Sequence, residues 1–281
     1  LRGDDGSNCV VWAHNLGLAR NPFLAEALAR VTARREIPLL AHHHDWWFDN
    51  RWQRWPELVQ AGYSTLDHTA ALVFPAGANV RHLAINEADA APLRRHFGDR
   101  AGWLPNLTDP LPPVSEARAA RARAWLEART EKGAPAWLFP CRLLRRKNVA
   151  EALLLARWLR PEAWLVTTGG PSSPGERAYA GALLDAAARH GWRVRLGVLQ
   201  GEDPGNPAVG ELLTASEAVI LTAIQEGFGL PFLEAAAAGR PLIARRIPNV
   251  FPDLGRFGFR FPQAYAEVFV DPGLFDWDAE R

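Results

Sequence analysis

Short apolar runs alternate with stretches of helical periodicity along the whole chain, a pattern that predicts parallel βαβ units rather than a helical bundle or a β-sandwich. The runs place strands near Cys9–Ala13, Ile37–Ala41, Val80–Ile85, Ala136–Pro140, Ala163–Thr167, Arg193–Leu196, Ala218–Leu221 and Pro241–Ala244. Helix starts are signalled between them. Asn21-Pro22 sets a cap and a first-turn proline ahead of Phe23, Leu24, Leu28 and Val31, and Asn206-Pro207 repeats the device ahead of Leu212 and Leu213. Asn148 with Glu151 reads as a capping box for a helix carrying Leu153, Leu154, Leu155 and Leu159. Gly191, and Gly239 followed by Pro241, mark helix ends.

The alternation breaks at Pro105-Asn106-Leu107-Thr108-Asp109-Pro110-Leu111-Pro112-Pro113, whose prolines can continue neither a helix nor a central strand. This stretch is the candidate hinge. It divides the chain into an N-terminal domain over 1–108 and a C-terminal domain over 109–281, the latter opening with a charged helix from about Ser115 to Arg129.

Composition narrows the function classes. With 281 residues, 48% of them hydrophobic, the chain can bury a sizeable core. Lys+Arg (32) and Asp+Glu (31) nearly cancel, so any anion must be held by a local cluster, and nothing points to nucleic acid. Lys132 and Lys147 are the only lysines. Cys9 and Cys141 stand far apart, which argues against a zinc knuckle or a disulfide framework and fits a reducing compartment. No apolar run reaches membrane-spanning length and no signal peptide opens the sequence, so a cytoplasmic location is expected, with peripheral membrane contact left open. The sequence contains no methionine and begins at Leu1, so it reads as part of a longer chain.

The strongest chemical signal is Gln225-Glu226-Gly227-Phe228-Gly229-Leu230-Pro231-Phe232-Leu233-Glu234, which follows a strand and enters a helix at Pro231. Glycines in the turn admit a ligand close to the backbone, and the new helix offers unpaired N–H groups to an anion. Glu226 and Glu234 can accept hydrogen bonds from the neighbouring hydroxyls of a sugar or a ribose. Upstream, Arg142-Leu143-Leu144-Arg145-Arg146-Lys147-Asn148 sets a basic cluster at another helix entrance.

These residues resemble family 4 of the retaining glycosyltransferases, whose signature is two glutamates separated by seven residues around a Gly-Phe-Gly turn; here the segment closes with Glu-Ala-Ala-Ala-Ala-Gly-Arg-Pro. The resemblance implies the GT-B fold, an α/β architecture of two Rossmann-like domains facing a cleft. It maps Glu234 to the ribose hydroxyls, Glu226 to the transferred sugar, and Gly227, Phe228, Gly229 and Leu230 to the donor. The family's arginine, followed five residues later by a lysine, matches Arg142 and Lys147, a clamp for the departing diphosphate that replaces a metal ion. Thr167-Thr168-Gly169-Gly170-Pro171 is similar to the loop beneath the base, with Gly169 on the donor side. Pro140-Cys141 departs from the pattern, which often has glycine before the arginine.

In the first half, Ala41-His42-His43-His44-Asp45-Trp46-Trp47-Phe48-Asp49-Asn50 closes a strand. By resemblance, His44 with Asp45 matches the His-Asp step that reaches the sugar, and His14 with Asn15 is a second acceptor-side pair. The aromatic residues suit a sugar wall or equally a packed core. Ile85-Asn86-Glu87 and Pro105-Asn106 are looser matches, so the resemblance spans about Val10 to Val270. The family's first strand and its glycine-rich acceptor loop are missing, which implies an incomplete N-terminal domain. Adjacent residues of a strand face opposite ways, so His42, His43 and His44 are not expected to converge on a metal.

The resulting expectation is a retaining hexosyltransferase that moves a sugar from a nucleoside-diphosphate donor to a small-molecule, glycan or lipid-linked hydroxyl, with no cofactor and no metal required. Catalysis is expected from His44, Glu226, Arg142 and Lys147, and donor binding from Glu234, Gly227, Phe228, Gly229, Leu230 and Gly169. A glycoside hydrolase using Glu226 and Glu234 as acid and base is the rival enzyme, though it leaves the arginine–lysine pair without a task. A sugar-nucleotide-binding module without turnover is the non-enzymatic rival. A phosphorylase is disfavoured, since neither lysine lies in a late cofactor motif.

Overall fold

The computed structural model describes residues 9–49, 54–106, 112–171, 173–201 and 203–274. The chain forms two compact units, Leu1–Leu107 and Thr108–Arg281. Within the candidate hinge, residues 107–111 lie outside the described residues, as does Asn50 at the end of the aromatic stretch.

In the first unit, strands β1 (Val11–His14), β2 (Leu39–His43), β3 (Val80–Ala84) and β4 (Ala101–Trp103) form a parallel sheet in chain order. Helices α1 (Pro22–Arg34), α2 (Trp55–Gln60), α3 (Leu66–Val73) and α4 (Glu87–Phe97) connect them. The Asn21 cap acts as the sequence predicts, its side chain accepting from the Leu24 N–H at 3.0 Å, and Asn86 caps α4 in the same way, accepting from the Asp89 N–H at 2.8 Å. The apolar face expected for α1 is not the buried one. Phe23, Leu24 and Val31 are exposed, whereas Ala25 and Thr32 are buried. Small residues let this helix lie close to its neighbours, and the Thr32 hydroxyl is satisfied by the Leu28 carbonyl at 2.8 Å.

The second unit opens with α5 (Glu116–Glu127), capped by Ser115, and is built on six parallel strands. They are β5 (Ala136–Phe139), β6 (Trp164–Thr167), β7 (Val194–Arg195), β8 (Ala218–Leu221), β9 (Leu242–Arg245) and β10 (Ala264–Tyr265), in the order β10-β9-β8-β5-β6-β7. Every residue of β5 and β8 is buried, as expected of central strands covered on both faces. The covering helices are α6 (Val149–Leu159), α7 (Pro174–His190), α8 (Val209–Ala215), α9 (Leu230–Ala237) and α10 (Phe251–Arg256).

Two cap expectations are corrected. Helix α8 does not start at Asn206-Pro207 but after Ala208, whose N–H donates to the Glu211 carboxylate at 2.8 Å. The acidic third residue of the first turn, not the Asn-Pro step, fixes this end. Asn148 does precede α6, but it is left-handed (φ 53°) and its side chain accepts no cap hydrogen bond; its amide donates to Glu151 Oε2 at 2.8 Å. Gly191 ends α7 at φ 63°, as predicted. Strands β4 and β10, of three and two residues, were not predicted; β7 is equally short but lies within the longer run Arg193–Leu196 that was.

No described helix is long and apolar enough to cross a membrane.

Candidate functional site

The order of the second sheet determines where chemistry can be placed. From β5 the chain winds outward through β6 and β7, then returns to the other side of β5 with β8. The loops leaving the carboxyl ends of β5 and β8 therefore flank this switch point, the place where open α/β sheets put their ligand sites. The basic cluster follows β5 and the first glutamate follows β8.

Hydrogen bonds lock these two loops together. The Thr222 hydroxyl donates to the Asn148 carbonyl at 2.8 Å, the Ile224 N–H to the Arg146 carbonyl at 2.9 Å, and the Arg146 guanidinium to the Gln225 carbonyl at 2.9 Å. A short 3-10 turn over Arg145–Lys147 aims the basic residues. Lys147 donates to Glu226 Oε1, and Arg146 Nη1 reaches Glu226 Oε2 at 3.3 Å, so one carboxylate holds two cations. The Asn249 amide fixes the Glu226 carbonyl at 2.8 Å. Arg142 is exposed and extends to Glu176, in the first turn of α7, at 3.5 Å. Arg145 is also exposed and lies over the Tyr179 ring, 5.5 Å from its centroid. Cys141 is buried, and burial pushes its thiol up to about 12, so it is a core residue and not a nucleophile.

Gly169 backs onto the same loop. Its N–H donates to the Cys141 carbonyl at 2.8 Å, and a Cβ there would lie 3.0 Å from that oxygen and 3.2 Å from the Arg142 Cα. A side chain at 169 would therefore displace the loop that carries Arg142. On the β8 side, Gly229 caps α9 in a left-handed conformation (φ 91°), and the helix begins at Leu230, one residue before the predicted entry. Phe228 is buried, so the turn can offer a ligand its main chain but not this ring. Leu230 and Gly227 are half-buried. Glu234 lies in α9, half-buried, and burial raises its carboxyl above the ordinary carboxylate range.

In the first unit, the carboxyl ends of β1 and β2 gather the histidines and Asn15. Asn15 (φ 66°) accepts from the N–H groups of His44 and Asp45 at 3.0 and 2.9 Å, pinning the turn after β2 to the end of β1. His14 Nδ1 lies 3.0 Å from His44 Nε2. As expected, strand alternation keeps the three consecutive histidines from converging, but the partner strand adds a histidine that this reasoning did not consider. Alternation turns His43 to the opposite face, but His42 and His44, two positions apart, share one face, and His14 pairs with His42 across the strands and joins them. Burial, reinforced by His42 and His14, holds His44 down at about 4. Trp46 and Trp47 are core residues rather than a sugar wall, packed in two apolar clusters; Trp47 stacks on Trp55 at 5.6 Å. Phe48 is exposed.

His43 instead meets His82 on β3, Nε2 to Nδ1 at 3.1 Å, while His82 Nε2 donates to the Pro75 carbonyl at 3.1 Å. Burial pushes His82 down to about 4, against the favourable Pro75 bond and helped by Arg100 and His96. Between about pH 6.5 and pH 4 the unfolded chain takes up a proton at residue 82 that the folded one refuses. Stability contributed by a neutral His82 is thus whole above pH 6.5 and falls as pH drops, by about 3 kcal/mol in full. Urea midpoints measured from pH 7 to pH 4.5 should fall less steeply in His82→Gln than in the parent; identical slopes would refute the assignment.

Residues 126–256 match the family model for glycosyl transferases group 1. The match covers a little under half of the chain. The group 1 segment contains β5 to α10, and with them both loops of the switch point. Among curated relatives, the chain is 23% identical to mannosylglucosyl-3-phosphoglycerate synthase of Petrotoga mobilis, over 85% of this chain and 46% of that one. It is 26% identical to mannosylglucosylglycerate synthase of Thermotoga maritima, over 95% of this chain and 63% of that one. The chain thus spans about half to three-fifths of the length of these relatives. Among solved structures, Anabaena HepE in complex with UDP and glucose superposes with a TM-score of 0.64 at 17% identity, over 92% of this chain and 64% of that one. WaaG, a glycosyltransferase of lipopolysaccharide biosynthesis, gives 0.53 at 15%, over 93% and 87%. At these identities the likeness establishes the fold, which is of the GT-B type.

Within the matched segment, sequence reasoning gave Arg146 no role of its own beyond the basic cluster, yet it shares Glu226 with Lys147. Its position in the same tight turn as Lys147 was the available signal. Glu176, Thr222 and Asn249 had none, because their roles depend on contacts made across the fold.

Proposed function

We propose that the protein is a retaining glycosyltransferase that moves a hexose from a UDP-, GDP- or ADP-sugar to a hydroxyl acceptor without a metal at the diphosphate. The observation that supports this most is the Lys147–Glu226–Arg146 ion cluster at the switch point of the group 1 segment. The UDP and glucose named in the HepE structure favour a nucleotide-sugar donor. Without donor, Glu226 holds Lys147 and Arg146 against the loop. A diphosphate entering beside Arg142, Lys147 and the amino end of α6 competes for these cations, and Glu226 turns to the transferred sugar. Glu234 takes the ribose hydroxyls, the backbone of Gly227, Phe228, Gly229 and Leu230 takes the sugar and phosphates, and Gly169 lies under the base. On the first unit, His44 with Asp45, and His14 with Asn15, form the acceptor-side set.

The acceptor oxygen bonds to the anomeric carbon as the carbon–oxygen bond to the diphosphate breaks, on the same face. A leaving phosphate oxygen takes the acceptor's proton, so no protein base is needed. Cations fixed before the reaction stabilise the charge that grows on the leaving group.

Glu234→Ala should weaken donor binding by about 10- to 100-fold, the worth of one or two hydrogen bonds to a charged group, while leaving the fold intact. Calorimetry with UDP, GDP and ADP, followed by turnover with the matching sugar nucleotide, checks this. Unchanged affinity for every nucleotide would remove Glu234 from the donor site, and cleavage of a glycoside without nucleotide would favour a hydrolase.

A further inference from the structure

We propose that His14, His42 and His44 form a binding site for one divalent transition metal ion, zinc in the first instance. The site shares His14 and His44 with the acceptor-side set proposed above, but ion binding is a separate property that is tested without any donor.

Three features build the site. One nitrogen of each ring lies within 4.8 Å of the others. Nitrogens bound to a single tetrahedral zinc at about 2.0–2.1 Å stand about 3.4 Å apart, so small ring rotations close the set from the 3.0 Å His14–His44 contact outward. Secondly, His42 is held as metal-ligating histidines are held. Its Nε2 lies 2.8 Å from the Leu104 carbonyl, which can only accept, so the proton resides on Nε2 and Nδ1 keeps its lone pair. That Nδ1 is buried and has no hydrogen-bond partner, on a residue only 2% exposed. A buried lone pair without a partner is costly, and a cation would relieve that cost.

Thirdly, the backbone holds the rings before any ion arrives. The parallel register sets His14 beside His42, strand alternation brings His44 to the same face, and the Asn15 side-chain oxygen accepts from the His44 N–H. The Trp12 indole stacks on His14 at 5.1 Å and limits its rotation. His14 is exposed and His44 half-buried, so an ion could enter from solvent and keep an open position toward it. Three neutral imidazoles without a carboxylate suit zinc and its neighbours in the transition series, not magnesium or calcium.

The test uses the full chain without a histidine tag, stripped with chelator and titrated with zinc sulfate by calorimetry, and in parallel with cobalt(II) followed by visible absorption. One ion per chain is expected, with intense visible bands from cobalt in a low-coordinate nitrogen site. His14→Gln and His44→Gln lie where the fold tolerates change, and their circular dichroism should match the parent. Each should weaken zinc binding by about 100-fold or more, at least the cost of losing a supporting contact, and abolish the cobalt bands. His96→Gln, on the exposed side of α4, should bind as the parent does. No binding by the parent, or equal binding by the His14 and His44 variants, would overturn the proposal without bearing on donor chemistry.

Discussion

Lys147→Met is expected to lower stability by about 3–5 kcal/mol and abolish sugar transfer, whereas the double variant Lys147→Met/Glu226→Gln should regain most of the stability and none of the activity. The Lys147 and Glu226 side chains are only 11% and 12% exposed and contact one another directly. Removing the ammonium leaves a nearly buried carboxylate with Arg146 as its remaining cation, at 3.3 Å and in poorer geometry. A buried charge that loses its partner costs more than the pair contributed, because its hydration was already lost in folding. Neutralising both ends removes that cost. Urea unfolding of the two single variants and the double variant measures the coupling, and turnover of a sugar nucleotide measures the function. Single variants within about 1 kcal/mol of the parent would place the pair among weak surface bridges and remove the basis for pre-organised cations.

The recovery of stability without activity is the informative half of this result. A purely structural ion pair can be exchanged for neutral groups at little loss; a diphosphate clamp cannot, since the ligand brings the charge that the cation must meet.

Much of this was legible in the sequence because it depends on local chemistry. Central strands buried on both faces read as apolar runs, so the limits of β8 were predicted to the residue and those of β5 to within one. Side-chain caps such as Asn21 and Ser115 show in the sequence because an acceptor three residues ahead of an amide is a local event. What escaped depends on the fold. The convergence of His14 with His42 and His44 requires the pairing of β1 with β2, which alternation considered within one strand cannot show. Arg146 had no assigned role in the sequence, and its place depends on the β8 loop that lies against it. Trp46 and Trp47 looked equally suited to core or ligand, and the neighbours that decide for the core, Phe74 and Phe97 for Trp46 and Leu58 and Tyr63 for Trp47, lie well along the chain.

Gly229→Ala should cost about 2–4 kcal/mol and weaken donor binding, combining left-handed strain with overpacking. Gly229 has φ 91°, where a Cβ is disfavoured in any surroundings. The surroundings are also closed: that Cβ would sit 2.6 Å from Val250 Cγ1 and 3.0 Å from the Phe232 ring. Neither can yield easily. Phe232 is 1% exposed and packs edge-on against Phe251 and Phe261, and Val250 is equally buried. The substituted turn must therefore push residue 250 outward, and with it Asn249, whose amide fixes the Glu226 carbonyl. Strain at position 229 would reach the first glutamate by this route and the second through α9, which starts at the next residue. Val250→Ala added to Gly229→Ala relieves the clash but not the dihedral. Stability measured across the four proteins of that cycle should show a favourable coupling of about 1–2 kcal/mol, with donor affinity partly restored. Strict additivity would mean that the turn relaxes away from Val250, and that Glu226 is held by something other than this contact.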